Sequence, residues 1–324
     1  MSKLTTTGES PDAATQPRAD APAGTAEPRF RVTNYAMLLK PRVMSLVVFT
    51  AAVGMFLAPG GVTAIGPLTA VIAILCIAIG AGASGAINMW YDRDIDLHML
   101  RTKNRPLPAG RLEPVEALAF GVFLSIGSVA AMAYWVNVTS SALLALTILY
   151  YVFIYTVWLK RRTPHNIVIG GASGALPPVI GWAAVTGDVG LGATFLFTII
   201  FLWTPPHTWA LALFRRGDYE AAGVPMLPVV AGERETKRQM LIYTAILIPA
   251  TLLPVAFAIS GAVYGGAALA LGGGLARHAW AVWKDDTGPD GGKTARPMFF
   301  FTLLYLFLIF AALLADKVFF WPLF

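Results

Sequence analysis

Runs of predominantly apolar residues recur along almost the whole chain, near 43–58, 66–88, 115–135, 140–158, 167–186, 192–214, 240–260, 262–283 and 297–314. A helix of about 20 such residues crosses a hydrocarbon core of about 30 Å, so the pattern predicts nine transmembrane helices. The first run is short and the eighth is rich in Gly and Ala. Composition points the same way: only 13% of residues are charged and 56% are hydrophobic, against roughly 25% charged in a soluble domain. Mean hydropathy is +0.65. A conventional soluble domain is excluded. The expected fold class is all-α: a polytopic membrane protein with nine helices around a central cavity and long cytoplasmic loops after helices two and six.

The basic residues test that count independently. Nine spans make the connecting segments alternate sides, and 23 of the 24 Lys and Arg fall in 1–42, 89–114, 159–166, 215–239 and at or beside 284–296. Lys317, in the tail, is the one basic residue of the other set. Positive segments mark the cytoplasmic side, which predicts a multi-pass protein of the inner membrane with its N-terminus cytoplasmic and its C-terminus outside. The pI near 9.5 then reflects orientation rather than nucleic-acid binding.

Residues 1–30 are rich in Ala, Pro, Thr and Gly and have no apolar stretch; the expectation is a disordered tail preceding one domain over 31–324. The lone cysteine, Cys76, lies inside the second span and excludes an internal disulfide or a Cys-built metal site. Two connections, 89–114 and 215–239, are too long for simple helix turns; each begins acidic and then becomes Pro- and Gly-rich with basic residues. Long loops in a compact domain are usually functional. The pentapeptide GASGA occurs at 82–86 and 171–175 and reads first as a close helix-packing surface.

The first of these loops opens on NMWYDRDID, residues 88–96. Steps of four residues advance about 40° around a helix and ~6 Å along it, so Asn88, Asp92 and Asp96 share one face at the end of the second helix. Asp94, turned about 200° from Asp92, faces away. An amide and two carboxylates on one face suit a hard divalent cation; Mg²⁺ fits, because it takes one or two carboxylates and completes its shell with water and phosphate. The plainer reading is a solvated helix end whose acids pair with Arg93, Arg101 or Lys103. Against it, the cluster borders hydrocarbon and precedes RTKNRPLPAGR, a basic segment suited to phosphate. Mg²⁺-binding acids beside cations in an otherwise apolar protein call for a diphosphate head with a long hydrocarbon tail, which describes a prenyl diphosphate.

The N-x-x-x-D-x-x-x-D pattern among nine predicted helices resembles the UbiA-type intramembrane prenyltransferases. LLKPRVMSL (38–46), RTKNRPLPAGR (101–111), LKRRTPHNIVIGGASGALPPVIGW (159–182), WTPPHTWALAL (203–213) and DYEAAGVPMLPVVAG (218–232) resemble, within that family, its haem branch, the protohaem IX farnesyltransferases or haem O synthases. The resemblance covers about residues 38–240. It implies transfer of farnesyl from farnesyl diphosphate to a vinyl group of haem B, with water addition, giving haem O and diphosphate for terminal oxidases. Haem B is then a substrate and Mg²⁺ the cofactor, with haem A synthase and oxidase assembly factors as candidate partners. Carried over by position, Asn88, Asp92, Asp96 and Asp218 hold metal and diphosphate, and Arg42, Lys103 and Arg105 clamp the diphosphate. One departure stands out. The second superfamily motif is often D-x-x-x-D, but Ala222 stands four residues after Asp218, and Glu220 is off register by two. This argues against a second ion held wholly by carboxylates.

Of the four histidines, His207, within the sixth span, is the first candidate for ligating or orienting haem, since a neutral imidazole is a common iron ligand and is costly in a membrane without a partner; a buried structural histidine is the bland alternative. His165 ranks second; His98 lies near the same face and His278 in the eighth span. Trp203, Trp209 and Tyr219 are candidate acceptor-lining residues. The rivals are a prenyltransferase acting on a quinone precursor or chlorophyll-like ring, a transporter using the acids as an ion path, and a purely structural assembly factor. Transport sites usually lie near the bilayer midplane, whereas these acids stand at a helix end.

Overall fold

The computed structural model describes residues 31–287 and 292–319; the 1–30 tail lies outside the described residues. Among them the chain is helical, with no strand. In order the elements are α1 (Val32–Leu38), α2 (Pro41–Leu57), α3 (Gly61–Tyr91), α4 (Arg93–Asp96), α5 (Pro114–Trp135) and α6 (Val138–Leu149). A π-helical stretch, Tyr150–Leu159, continues α6. Then follow α7 (Asn166–Ala175), α8 (Pro177–Thr186), α9 (Leu191–Phe214), α10 (Arg216–Ala221), α11 (Leu227–Val230), α12 (Gly232–Ala256), α13 (Ala262–Lys284) and α14 (Ala295–Val318).

The span count differs from the sequence reading. Among the described residues seven helical segments are long and apolar enough to cross a membrane, and an eighth results if α1 and α2, bent by 53°, are taken as one. The remaining candidate, α13, has 23 residues, a sufficient length, but its Gly- and Ala-rich composition leaves it outside that set. The predicted span 167–186 is also interrupted. Pro177 and Pro178 open α8 directly after α7, since proline starts a helix readily but cannot continue one.

The surface is apolar where lipid would touch it. Phe123 is 75% exposed, Leu68 72% and Ile126 66%, the reverse of a soluble helix. Inside, glycines permit close crossings. A Cβ on Gly54 would lie 2.1 Å from the Pro178 carbonyl oxygen, and one on Gly181 2.0 Å from that of Ala51, so α2 and α8 meet backbone to backbone.

Polar side chains at several helix ends serve as caps. Asn137 accepts from the Ser140 amide (2.8 Å) and donates to the Ala183 and Ala184 carbonyls, tying the start of α6 to the end of α8. Asp316, a buried acid in the last span, accepts from the Gly261 and Tyr264 amides (2.6 and 3.0 Å) at the start of α13, where a carboxylate offsets the helix dipole. Beyond α13, Asp285 accepts from Thr287, Lys293 and Thr294. These hydroxyl and amide donors hold its carboxyl well below the usual range.

Candidate active site

The acidic strip forms where α3 ends. Asp92 leaves helical geometry (φ −88°, ψ 5°), yet the amides of Asp92 and Asp96 still reach the carbonyls of Asn88 and Asp92, each at 2.9 Å. The four-residue spacing therefore survives the break between α3 and α4. All three side chains are buried, Asp92 completely, whereas the Asp94 side chain is 60% exposed. Complete burial of Asp92 runs against the plainer reading of a solvated helix end.

Four cations close on this strip. The Lys160 ammonium pairs with Asp92 Oδ2, and Arg161 stands 3.6 Å from Asp92 Oδ1. Arg161 also grips Asp94 with two hydrogen bonds of 2.7 Å. That fork pulls the Asp94 carboxyl down to about 2 and raises the guanidinium in return. Arg105 donates to Asp96 Oδ2 at 2.7 Å, and Lys40 to Asn88 Oδ1 at 2.9 Å. Asn88 links the set by donating to Asp92 Oδ2 (2.7 Å) and Thr156 Oγ1 (3.1 Å).

Local structure explains each arrival. The π-helical stretch ends at Leu159 and so delivers Lys160 and Arg161 together; π-turns are frequent at functional sites. Lys40 sits in the break between α1 and α2 with φ 52°, a left-handed conformation that costs a non-glycine residue about 1 kcal/mol or more. The first GASGA segment makes room for it. A Cβ on Gly82 would come 3.0 Å from Leu39, and one on Gly85 3.4 Å from the Lys40 stem. In the second copy Gly171 gives the same clearance to Thr204 of α9 (3.0 Å).

The second loop joins the first. Asp218, on α10, accepts from the Leu100 amide at 3.3 Å, and Ile95, Met99, Tyr219, Val224 and Met226 form one apolar cluster. Glu220 points out to solvent.

The other predicted residues are more dispersed. Arg42 and Lys103 are exposed, with no ion pair to the strip. His98 and His165 are exposed as well, and His278 packs on Phe301 at 4.5 Å. His207 lies in α9 between the rings of Trp203 (4.2 Å) and Phe299 (4.7 Å). Trp203, Trp209 and Tyr219 are buried. Lys40, Lys160 and Arg161 were missed by sequence reasoning, although the stretches 38–46 and 159–182 that carry the family likeness contain them. Two sizeable cavities lie away from the strip: an apolar one of about 330 Å³ beside Cys76 and Phe123, and a polar one of about 450 Å³ beside Arg234 and Trp283.

Among the described residues no three His, Cys, Asp or Glu side chains converge as a ready-made metal cage. The donor chemistry nevertheless suits Mg²⁺, which needs only one or two carboxylates when phosphate supplies the rest. Asp92 Oδ1 and Asp218 Oδ2 are buried oxygens with no hydrogen-bond donor, a costly state that a cation relieves.

A family model described as the UbiA prenyltransferase family matches residues 47–304. The chain belongs to this family. This UbiA-family chain is 57% identical over 285 residues to a "Protoheme IX farnesyltransferase" of Parvibaculum lavamentivorans, covering 88% of this chain and 89% of the relative. It is 58% identical to "Protoheme IX farnesyltransferase 2" of Mesorhizobium japonicum, over 88% and 90% of the two chains. Among solved structures, its fold is similar to that of a digeranylgeranylglyceryl phosphate synthase (TM-score 0.73, 17% identity, 89% of this chain and 98% of that one). It is also similar to a UbiA homolog from Archaeoglobus fulgidus bound to GPP and Mg²⁺ (TM-score 0.60, 18% identity, 86% and 99%). At these identities the structural likeness concerns the fold.

Proposed function

We propose that the chain transfers the farnesyl group of farnesyl diphosphate to a vinyl group of haem B and, with addition of water, forms haem O and diphosphate. The observation that carries this reading is the buried strip Asn88–Asp92–Asp96 ringed by Lys40, Arg105, Lys160 and Arg161, in a chain more than half identical to protohaem IX farnesyltransferases. Asn88, Asp92, Asp96 and Asp218 would hold Mg²⁺, whose part is to neutralise charge growing on the leaving diphosphate.

The chain's own cations share that task. When the allylic C–O bond breaks, both electrons leave with the diphosphate, and Lys40, Arg105, Lys160 and Arg161, gathered at the strip, would offset its charge. Arg42 and Lys103, exposed and without an ion pair among the described residues, add charge from outside the ring. Burial of the strip keeps water from the allylic cation until the haem vinyl group donates its π electrons to the terminal farnesyl carbon. Water then captures the new cation beside the ring and releases a proton. His207, deeper in α9, is the residue assigned to the haem; His165, exposed at the helix end, ranks behind it.

Orientation follows the basic segments: the N-terminus and both long loops are cytoplasmic in the inner membrane, and the C-terminus is outside. Counting α13 as a crossing is part of this reading. The deciding experiment is incubation of membranes containing the protein with haem B, farnesyl diphosphate and Mg²⁺, followed by mass spectrometry of extracted haem. A hydroxyethylfarnesyl substituent is expected. Unmodified haem, together with a prenylated quinone precursor when one is supplied, overturns the haem assignment.

A further inference from the structure

Thr302, on α14, meets α9 twice. Its main-chain carbonyl accepts from Trp203 Nε1 at 2.7 Å, and its hydroxyl oxygen lies 2.8 Å from His207 Nδ1. The same hydroxyl lies 2.6 Å from the carbonyl oxygen of Phe299, one turn earlier. A threonine hydroxyl has one proton to give. Two oxygens 2.6 Å apart repel unless a proton lies between them, so the proton points to Phe299.

The contact with His207 then has one consistent assignment. The Thr302 oxygen accepts, and the proton is on His207 Nδ1. In a neutral imidazole this leaves Nε2 with an unshared pair and no proton. Trp203 and Phe299 stack on the two faces of the ring, at 4.2 and 4.7 Å, so a partner must approach along the ring edge. His207 is only partly buried, which leaves that edge a route.

We infer that Thr302 is a positioning residue that fixes His207 as the Nδ1–H tautomer and thereby reserves Nε2 as an electron-pair donor to the iron of the haem acceptor. This rests on the reading that His207 faces haem. The same tautomer denies Nε2 a role as hydrogen-bond donor to a propionate or a diphosphate. Hydrogen-bonded outer partners of this kind commonly change metal affinity 10–100-fold.

Two substitutions separate the effect from folding. Thr302→Val keeps the side chain's shape and removes the acceptor; Thr302→Ser keeps the hydroxyl. In both, the carbonyl that holds Trp203 belongs to the main chain and stays. With nitrogen-15-labelled histidine, the His207 signals of the haem-free protein, assigned by their loss in His207→Gln, report which ring nitrogen carries the proton. The wild type and Thr302→Ser should show Nδ1–H, and Thr302→Val a shift toward Nε2–H. A wild-type Nε2–H tautomer overturns the inference, as does an unchanged tautomer in Thr302→Val. Haem titration, followed by absorbance, is read separately. Thr302→Val should bind haem about 10–100-fold more weakly with an altered iron spectrum, Thr302→Ser should restore both, and farnesyl diphosphate affinity should not move. Should the tautomer behave as expected while His207→Gln binds haem normally, the electron-pair role toward iron fails together with the assignment of His207 to haem, and the tautomer lock alone is left standing.

Discussion

The Lys160 ammonium rests on the fully buried Asp92 carboxylate, 68 residues away in the chain. Asp92 therefore belongs at once to an ion pair and to the proposed metal face. Asp92→Asn keeps the side chain's size and removes its charge. Turnover should fall about 10²–10³-fold, the usual cost of removing one key electrostatic stabiliser. Asp94→Asn, outside the face, should lose less than about tenfold, as expected of an exposed pair. Both are assayed at saturating Mg²⁺, with thermal melting measured alongside. Equal losses in turnover would defeat the helix-face argument.

The cations should grade by burial. Hydrogen bonds to charged groups contribute roughly 1.5–3 kcal/mol, so Lys160→Gln and Arg105→Gln should each lower kcat/KM for farnesyl diphosphate by about 10–100-fold. Arg42→Gln and Lys103→Gln remove exposed charges and should cost less than about tenfold. A larger loss at Arg42 than at Lys160 would reverse this order.

Asp285 predicts an acid-side loss of stability. Its carboxyl is held below the usual range by donors from Thr287 and Thr294. A carboxyl depressed in the fold stabilises it fully above the unfolded value, near 4, and loses that stabilisation as pH falls through the lower folded value. Asp285→Ala should therefore melt below the wild type near neutral pH, with the gap narrowing below about pH 4. A gap independent of pH would assign the effect to packing.

The α2–α8 crossing should tolerate no side chain. Gly54→Val and Gly181→Val would push a Cβ into the backbone oxygens of Pro178 and Ala51, and overpacking costs about 1–3 kcal/mol or more. Melting in detergent should show the loss. Gly174→Ala, with open space around it, is the control and should melt as the wild type does.

Topology reporters test the status of α13. One fused after Phe324 or placed at Gly261 should be external, and one near Gly110 cytoplasmic. A cytoplasmic signal after Phe324 would remove α13 from the crossings.

Much of this architecture is legible in the sequence because lipid imposes long apolar runs and the orientation bias imposes basic segments between them. Asp94 could be excluded from the strip by helix geometry alone. Lys40 could not be preferred to Arg42, because the choice depends on a left-handed residue in a short break and on clearance from Gly82 and Gly85. Nor could Lys160 be matched to Asp92, since the π-helical stretch that aims it has no distinct apolar period. The capping role of Asp316 is equally a tertiary fact: its partners lie 52 and 55 residues earlier.

The contact between Leu100 and Asp218 spans 118 residues, and that has a consequence in time. Closing so long a segment comes late, after the intervening helices have been made and packed. A growing chain thus adds the 118 residues from Leu100 to Asp218 with the acidic strip present but its second loop missing. The two loops become one unit only when α10 and α11 have emerged, so a translation product truncated before Asp218 would hold every residue of the first motif and still lack a finished site.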